Sequence, residues 1–213
     1  GEEAVARGAF VDAAAFLDRA LERGAAAERP ALRVALADAR WRGGDIAAAK
    51  ALAAEVVAEA LAGSVPETVL VDAVVLHGTF GTAYSIDPAS LAFADQALDL
   101  VGDPGLRARV LASSAYHHAM WGSTVPTATA ALGAAEAALV PSGSPAVEAE
   151  VLFARSIALT ASPDLDARRA LSDRHLVIAD ELGSVRDRGR AVRGRVMIAM
   201  SGGDLAGAQG EID

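Results

Sequence analysis

The chain has no cysteine, so disulfides, thiolate chemistry and cysteine-ligated metals are excluded. That absence fits a cytoplasmic protein. Aromatic residues are scarce, at 4% of 213 residues, although hydrophobic residues make up 53%. Alanine supplies much of the difference. Alanine has the best helix propensity and a poor strand propensity, so the composition predicts close-packed helices rather than sheets. The apolar excess does not predict a membrane span. No run of about 18 apolar residues is free of charges and helix breakers. Glu2, Glu3 and Arg7 interrupt the N-terminus, so no signal peptide is expected in this stretch. Also missing are the glycine-rich loops that cradle phosphates and the HExxH metal motif. The G-x-S-x-G nucleophile elbow is absent too.

What charge there is leans acidic, with a formal net charge of −9. The imbalance lies in residues 1–163, which hold 11 Lys/Arg against 19 Asp/Glu; residues 164–213 hold 8 against 9. Acidity of this degree argues against nonspecific nucleic-acid binding by the whole chain. The chain starts without methionine, and its last residues continue a helical pattern. The expectation is a single helical domain over 1–213, a fragment of a longer protein with partial repeats at both ends.

The organising stretch is Ala31 to Val56. Apolar residues at Leu32, Ala35, Leu36 and Ala39 recur by three and four, which predicts a helix. Gly43-Gly44 supplies a stop, and Asp45 suits the N-cap of a second helix. That helix resumes with Ile46, Ala49, Leu52, Ala53 and Val56. Such a hairpin cannot bury its apolar faces alone and implies stacked neighbours. The same logic recurs after Gly8, with Phe10, Ala13, Leu17 and Ala20, and at Gly203, with Leu205 and Ala208. Between these blocks the punctuation predicts further helices. Their spans are about 66–84, 88–101, 104–121, 127–140, 145–160, 163–182 and 185–200. Expected caps are Ser64, Ser144, Ser162 and Ser184. No stretch alternates as a strand would.

The blocks around Gly8, Gly44 and Gly203 resemble tetratricopeptide repeats. Leu36-Ala37 matches the Leu-Gly/Ala pair of that family's first helix, Gly44 its turn glycine, and Ala49, Ala53 and Val56 the packing positions of its second helix. Beyond that, LRARVLASSAYHHAMWG, ADELGSVRDRGRAVRGRV and GGDLAGA are similar in texture to a narrower group. These are the helical-repeat regions of large actinobacterial ATP-binding LuxR-type transcriptional regulators. The resemblance implies an all-α, right-handed alpha-solenoid of stacked antiparallel hairpins. The nucleotide-binding and DNA-binding modules of such a regulator would lie outside this chain.

Candidate functional residues are few. His117 and His118 are adjacent, so on a helix they point about 100° apart and do not share a metal. They are expected at a surface or in a groove. Ser113 and Ser114 lie mid-helix with no nucleophile elbow, so catalysis is not expected. Five arginines fall between 186 and 195. Arg186, Arg190 and Arg193, spaced by four and three, share one helix face. The bland expectation is a solvated face neutralised by Asp180, Glu181 and Asp187. The sharper one is an anion-binding patch. In a tetratricopeptide register Arg190 and Arg193 face the concave groove, as do Asp38, Trp41, Arg42, Tyr116 and His117. The alternative for Trp41 is that it fills the space between two repeats.

The expected function is a non-catalytic protein-interaction or regulatory scaffold that needs no cofactor. Its partner would be a protein or peptide, including other modules of its own parent chain, with no direct nucleic-acid or membrane contact. The alternative is a sensor that binds a small effector and signals to a nucleotide-switch module. A ligand pocket lined by Trp41, Tyr116 or the arginines of 186–195 would favour that sensor.

Overall fold

The computed structural model describes residues 8–63, 65–79, 88–120 and 125–211. Among them the chain is all helical, with no strand. It divides into two compact units, Gly1–Gly102 and Asp103–Asp213.

The first unit holds α1 (Phe10–Arg23), α2 (Arg29–Arg42), α3 (Ile46–Leu61), α4 (Glu67–Thr79) and α5 (Pro88–Leu100). Helix α1 packs on α2, α2 on α3 and α4, α3 on α4 and α5, and α4 on α5. The expected apolar spacing carries this packing. Ala37, Ala49 and Ala53 are wholly buried and cluster with Leu76, while Ala13, Leu17, Leu36 and Ala39 form a second cluster. Ala20 is only half-buried.

The second unit holds α6 (Pro104–Met120), α7 (Val125–Ser142), α8 (Pro145–Ala158), α9 (Leu165–Leu182), α10 (Val185–Ser201) and α11 (Leu205–Gly210). Helix α6 packs on α7 and α8, α7 on α8, α8 on α9 and α10, α9 on α10, and α10 on α11. Its core includes Ala112, Ala115, Ala135, Val151 and Ala154.

The Gly-Asp turns are built alike. Gly44 and Gly203 take φ of +93° and +77°, a region that costs glycine nothing. The following Asp45 and Asp204 donate their backbone N–H groups to Arg40 and Ala199 carbonyls, both at 2.9 Å. Their carboxylates then accept from the N–H of Ala48 and Gly207, at 3.2 and 2.8 Å. Each turn thus ends one helix and caps the next. Ala49 and Ala208, which match by sequence, are both buried. Gly183 (φ +61°) and Ser184 make the same turn, with Ser184 N–H on the Ala179 carbonyl and Ser184 Oγ accepting from Asp187 N–H.

Several boundaries differ from the sequence expectation. Helix α7 starts at Val125 rather than 127, because Pro126 falls in a first turn where its missing N–H costs nothing. It runs to Ser142 with Pro141 in its last turn. Ser162 does not cap α9. Asp164 does, accepting from Ala167 N–H at 2.9 Å, while Ser162 Oγ accepts from Asp164 N–H. Ser144 precedes α8 but its side chain makes no capping bond. Helix α4 is described from Glu67 to Thr79, and the rest of its expected span, to 84, lies outside the described residues. Ser64, Phe80 to Asp87 and Trp121 lie outside the described residues.

Candidate functional site

The predicted residues fall in both units. In the first, Arg42 closes α2 and pairs with Asp38 one turn earlier, Nε to Oδ2 at 2.9 Å. Its guanidinium lies 5.5 Å from the Phe10 ring centre and 5.9 Å from that of Trp41. Trp41 packs beside the Ala37, Ala49, Ala53 and Leu76 cluster.

In the second unit the structure brings Tyr116 and Arg190 together through a residue the sequence did not single out. Tyr116 stacks on Phe153, ring centres 5.5 Å apart at 24°. The Arg190 guanidinium covers Phe153 at 4.2 Å, a cation–π distance. His117 is buried instead of lying at the surface, its ring edge-on to Tyr116. His77 and His175 are buried as well, and His77 Nδ1 shares a 2.9 Å hydrogen bond with Ser90 Oγ.

The arginine face is divided by its partners. Arg188 pairs with Asp180, one of the expected carboxylates, and Arg195 with Asp173 and Glu211, which were not among them. Arg190 pairs with Asp187, Nη1 to Oδ1 at 3.1 Å. Arg186 and Arg193 are exposed and make no ion pair among the described residues. Burial of Arg190 disfavours its charge and the neighbouring Arg186 adds to that, so its pKa is lowered although Asp187 opposes both. Burial alone would raise the Asp187 carboxyl. His175, Ser184 and Arg190 together outweigh it and hold that carboxyl well below the ordinary carboxylate range.

The seam between α9 and α10 explains this chemistry. The buried face of α9 is partly polar, with Arg168, Ser172 and His175 at spacings of four and three. Each meets α10 in antiparallel order. Arg168 Nη1 donates to Ser201 Oγ at 3.3 Å. Ser172 lies under Gly194, where an added Cβ would stand 2.5 Å from its Oγ. His175 Nε2 approaches Asp187 Oδ1 at 3.7 Å. Glycine at 194 is what lets the two helices approach so closely.

Beside this seam lies a cavity of about 260 Å³, between α6, α8, α9 and α10. Arg168, Arg190 and Arg193 line it together with Ser172 and Gly194. Its apolar wall comes from Met120, Phe153, Ile157, Met197 and Ile198. Of the three arginines the sequence groups on one face, Arg190 and Arg193 line the cavity and Arg186 does not, while Phe153 and Arg168 were not singled out. The available signal was the polar stripe on α9, which a count of apolar residues passes over. Among the described residues no cluster of His, Asp and Glu could hold a metal ion, and no helix is long and apolar enough to cross a membrane. No known family matches this chain, and no curated protein or solved structure matches it either.

Proposed function

We propose that the chain is a non-catalytic regulatory module, an alpha-solenoid of degenerate tetratricopeptide-like hairpins. It would serve as a protein-interaction scaffold of a larger cytoplasmic transcriptional regulator. The supporting observation is the recurrence of one turn. Gly44-Asp45 and Gly203-Asp204 use the same bonds and bury the same alanine. In each unit, helices also pack on the next and next-but-one helix. Repeats of this kind present extended surfaces to protein partners. An in-frame deletion of residues 1–213 in the source organism, read by transcript profiling, tests the proposal. Altered transcription of a limited gene set is expected. An unchanged profile would refute it.

A second reading has its own support. The cavity lined by Arg168, Arg190 and Arg193 favours the effector-sensing alternative, in which a small ligand biases the packing of α9 and α10. Ligands shift such equilibria only through different affinity for two arrangements.

A further inference from the structure

We infer that the cavity between α6, α8, α9 and α10 binds a small organic anion, a carboxylate or phosphate monoester carried on a short apolar chain. The inference deepens the sensor reading by naming its effector class, and it can fail while the scaffold reading stands.

The first ground is Arg168. It is 94% buried, at 6% relative exposure, and lines the cavity. A guanidinium carries five N–H donors and stays protonated. Among the described residues Arg168 uses only Nη1, toward the Ser162 carbonyl at 3.4 Å and Ser201 Oγ at 3.3 Å. Both acceptors are neutral. A buried charge without a counter-charge is costly, so this position is poised for an anion.

The second ground is the charge balance of the walls. Of the three lining arginines, only Arg190 has a carboxylate, that of Asp187. Arg193 has none among the described residues. No aspartate or glutamate lines the cavity. Its electrostatic preference is therefore for negative charge, and guanidinium forks match carboxylate and phosphate oxygens. The third ground is the remaining wall. Met120, Phe153, Ile157, Met197 and Ile198 suit an apolar chain, and the methionines can adapt to its shape. The volume lies just under the usual small-molecule range of about 300–1,000 Å³, which selects small metabolites over peptides.

Thermal shift and calorimetric titration of the full chain test this with three probes: hexanoate, hexyl phosphate and hexanol. A ligand that binds the folded state raises Tm with concentration. Hexanoate or hexyl phosphate is expected to raise Tm, and whichever acts more strongly identifies the anionic group. Hexanol should not. Arg193→Ala should fold normally, since Arg193 is exposed, and should weaken anion binding at least tenfold. Arg168→Met should abolish the anion shift while leaving the ligand-free Tm unchanged or higher, because an unpaired buried charge has been removed. A merely structural Arg168 would lower it. Should Arg168→Met fail to fold, Arg193→Ala decides alone. Equal responses to hexanol and hexanoate, no response to either anion, or unweakened binding by Arg193→Ala would overturn the assignment.

Discussion

Gly189 and Gly194 both lie inside α10 and face opposite situations. A Cβ at Gly189 would meet nothing within 4 Å, whereas one at Gly194 would press on Ser172 Oγ. Helical glycine costs about 0.5–1 kcal/mol relative to alanine. Gly189→Ala should therefore raise stability by about that much in a denaturant titration. Gly194→Ala gains the same propensity but must displace the hydroxyl of Ser172, a residue 3% exposed, and overpacking of this kind costs about 1–3 kcal/mol. A net loss of about 1 kcal/mol is expected. If both substitutions stabilise alike, the α9–α10 seam is looser than its geometry implies. Nothing in the sequence distinguishes these two glycines, because the difference lies on the neighbouring helix.

At the scale of elements, the turns were legible and the seam was not. Gly44-Asp45 and Gly203-Asp204 act through bonds to residues within five positions, so local chemistry decides them. Caps were less secure where two cap formers stand close together, as Ser162 and Asp164 do before α9. The polar face of α9 was hidden because burial depends on what α10 brings against it. That seam makes a prediction about pH. Asp187 is held by Ser184 and Arg190 of its own helix segment and faces His175 of α9. Its folded pKa is depressed below the unfolded value of about 3.9. A depressed carboxyl stabilises the fold above the unfolded pKa, and that contribution is lost as pH falls through the folded pKa. Asp187→Asn should therefore cost about 1–3 kcal/mol at neutral pH. The deficit should shrink as pH is lowered through the acid range below about 4. A deficit independent of pH would mean that the carboxyl's charge is not what matters there.

For the whole molecule, the division at Gly102 and Asp103 sets the next question. The acidity is concentrated in the first unit, which has 8 Lys/Arg against 15 Asp/Glu, while the second has 11 against 13. The cavity and every residue that lines it belong to the second unit. So does a core built on Ala112, Ala115, Ala135, Val151 and Ala154, packed round by Leu111, Tyr116 and Leu139. Ion pairs within it include Arg109 with Glu150, Arg155 with Glu136, and Arg174 with Glu148. A chain of this length lies within the usual domain range of about 50–200 residues, and its own core is what independent folding requires. Residues 103–213 expressed alone should give a helical circular dichroism spectrum and a cooperative thermal transition. If they do, that piece should bind the same anion probes as the full chain, because no residue of the cavity has been removed. A helical but non-cooperative transition would instead mark stabilisation by neighbouring repeats, as nearest-neighbour coupling in solenoids requires.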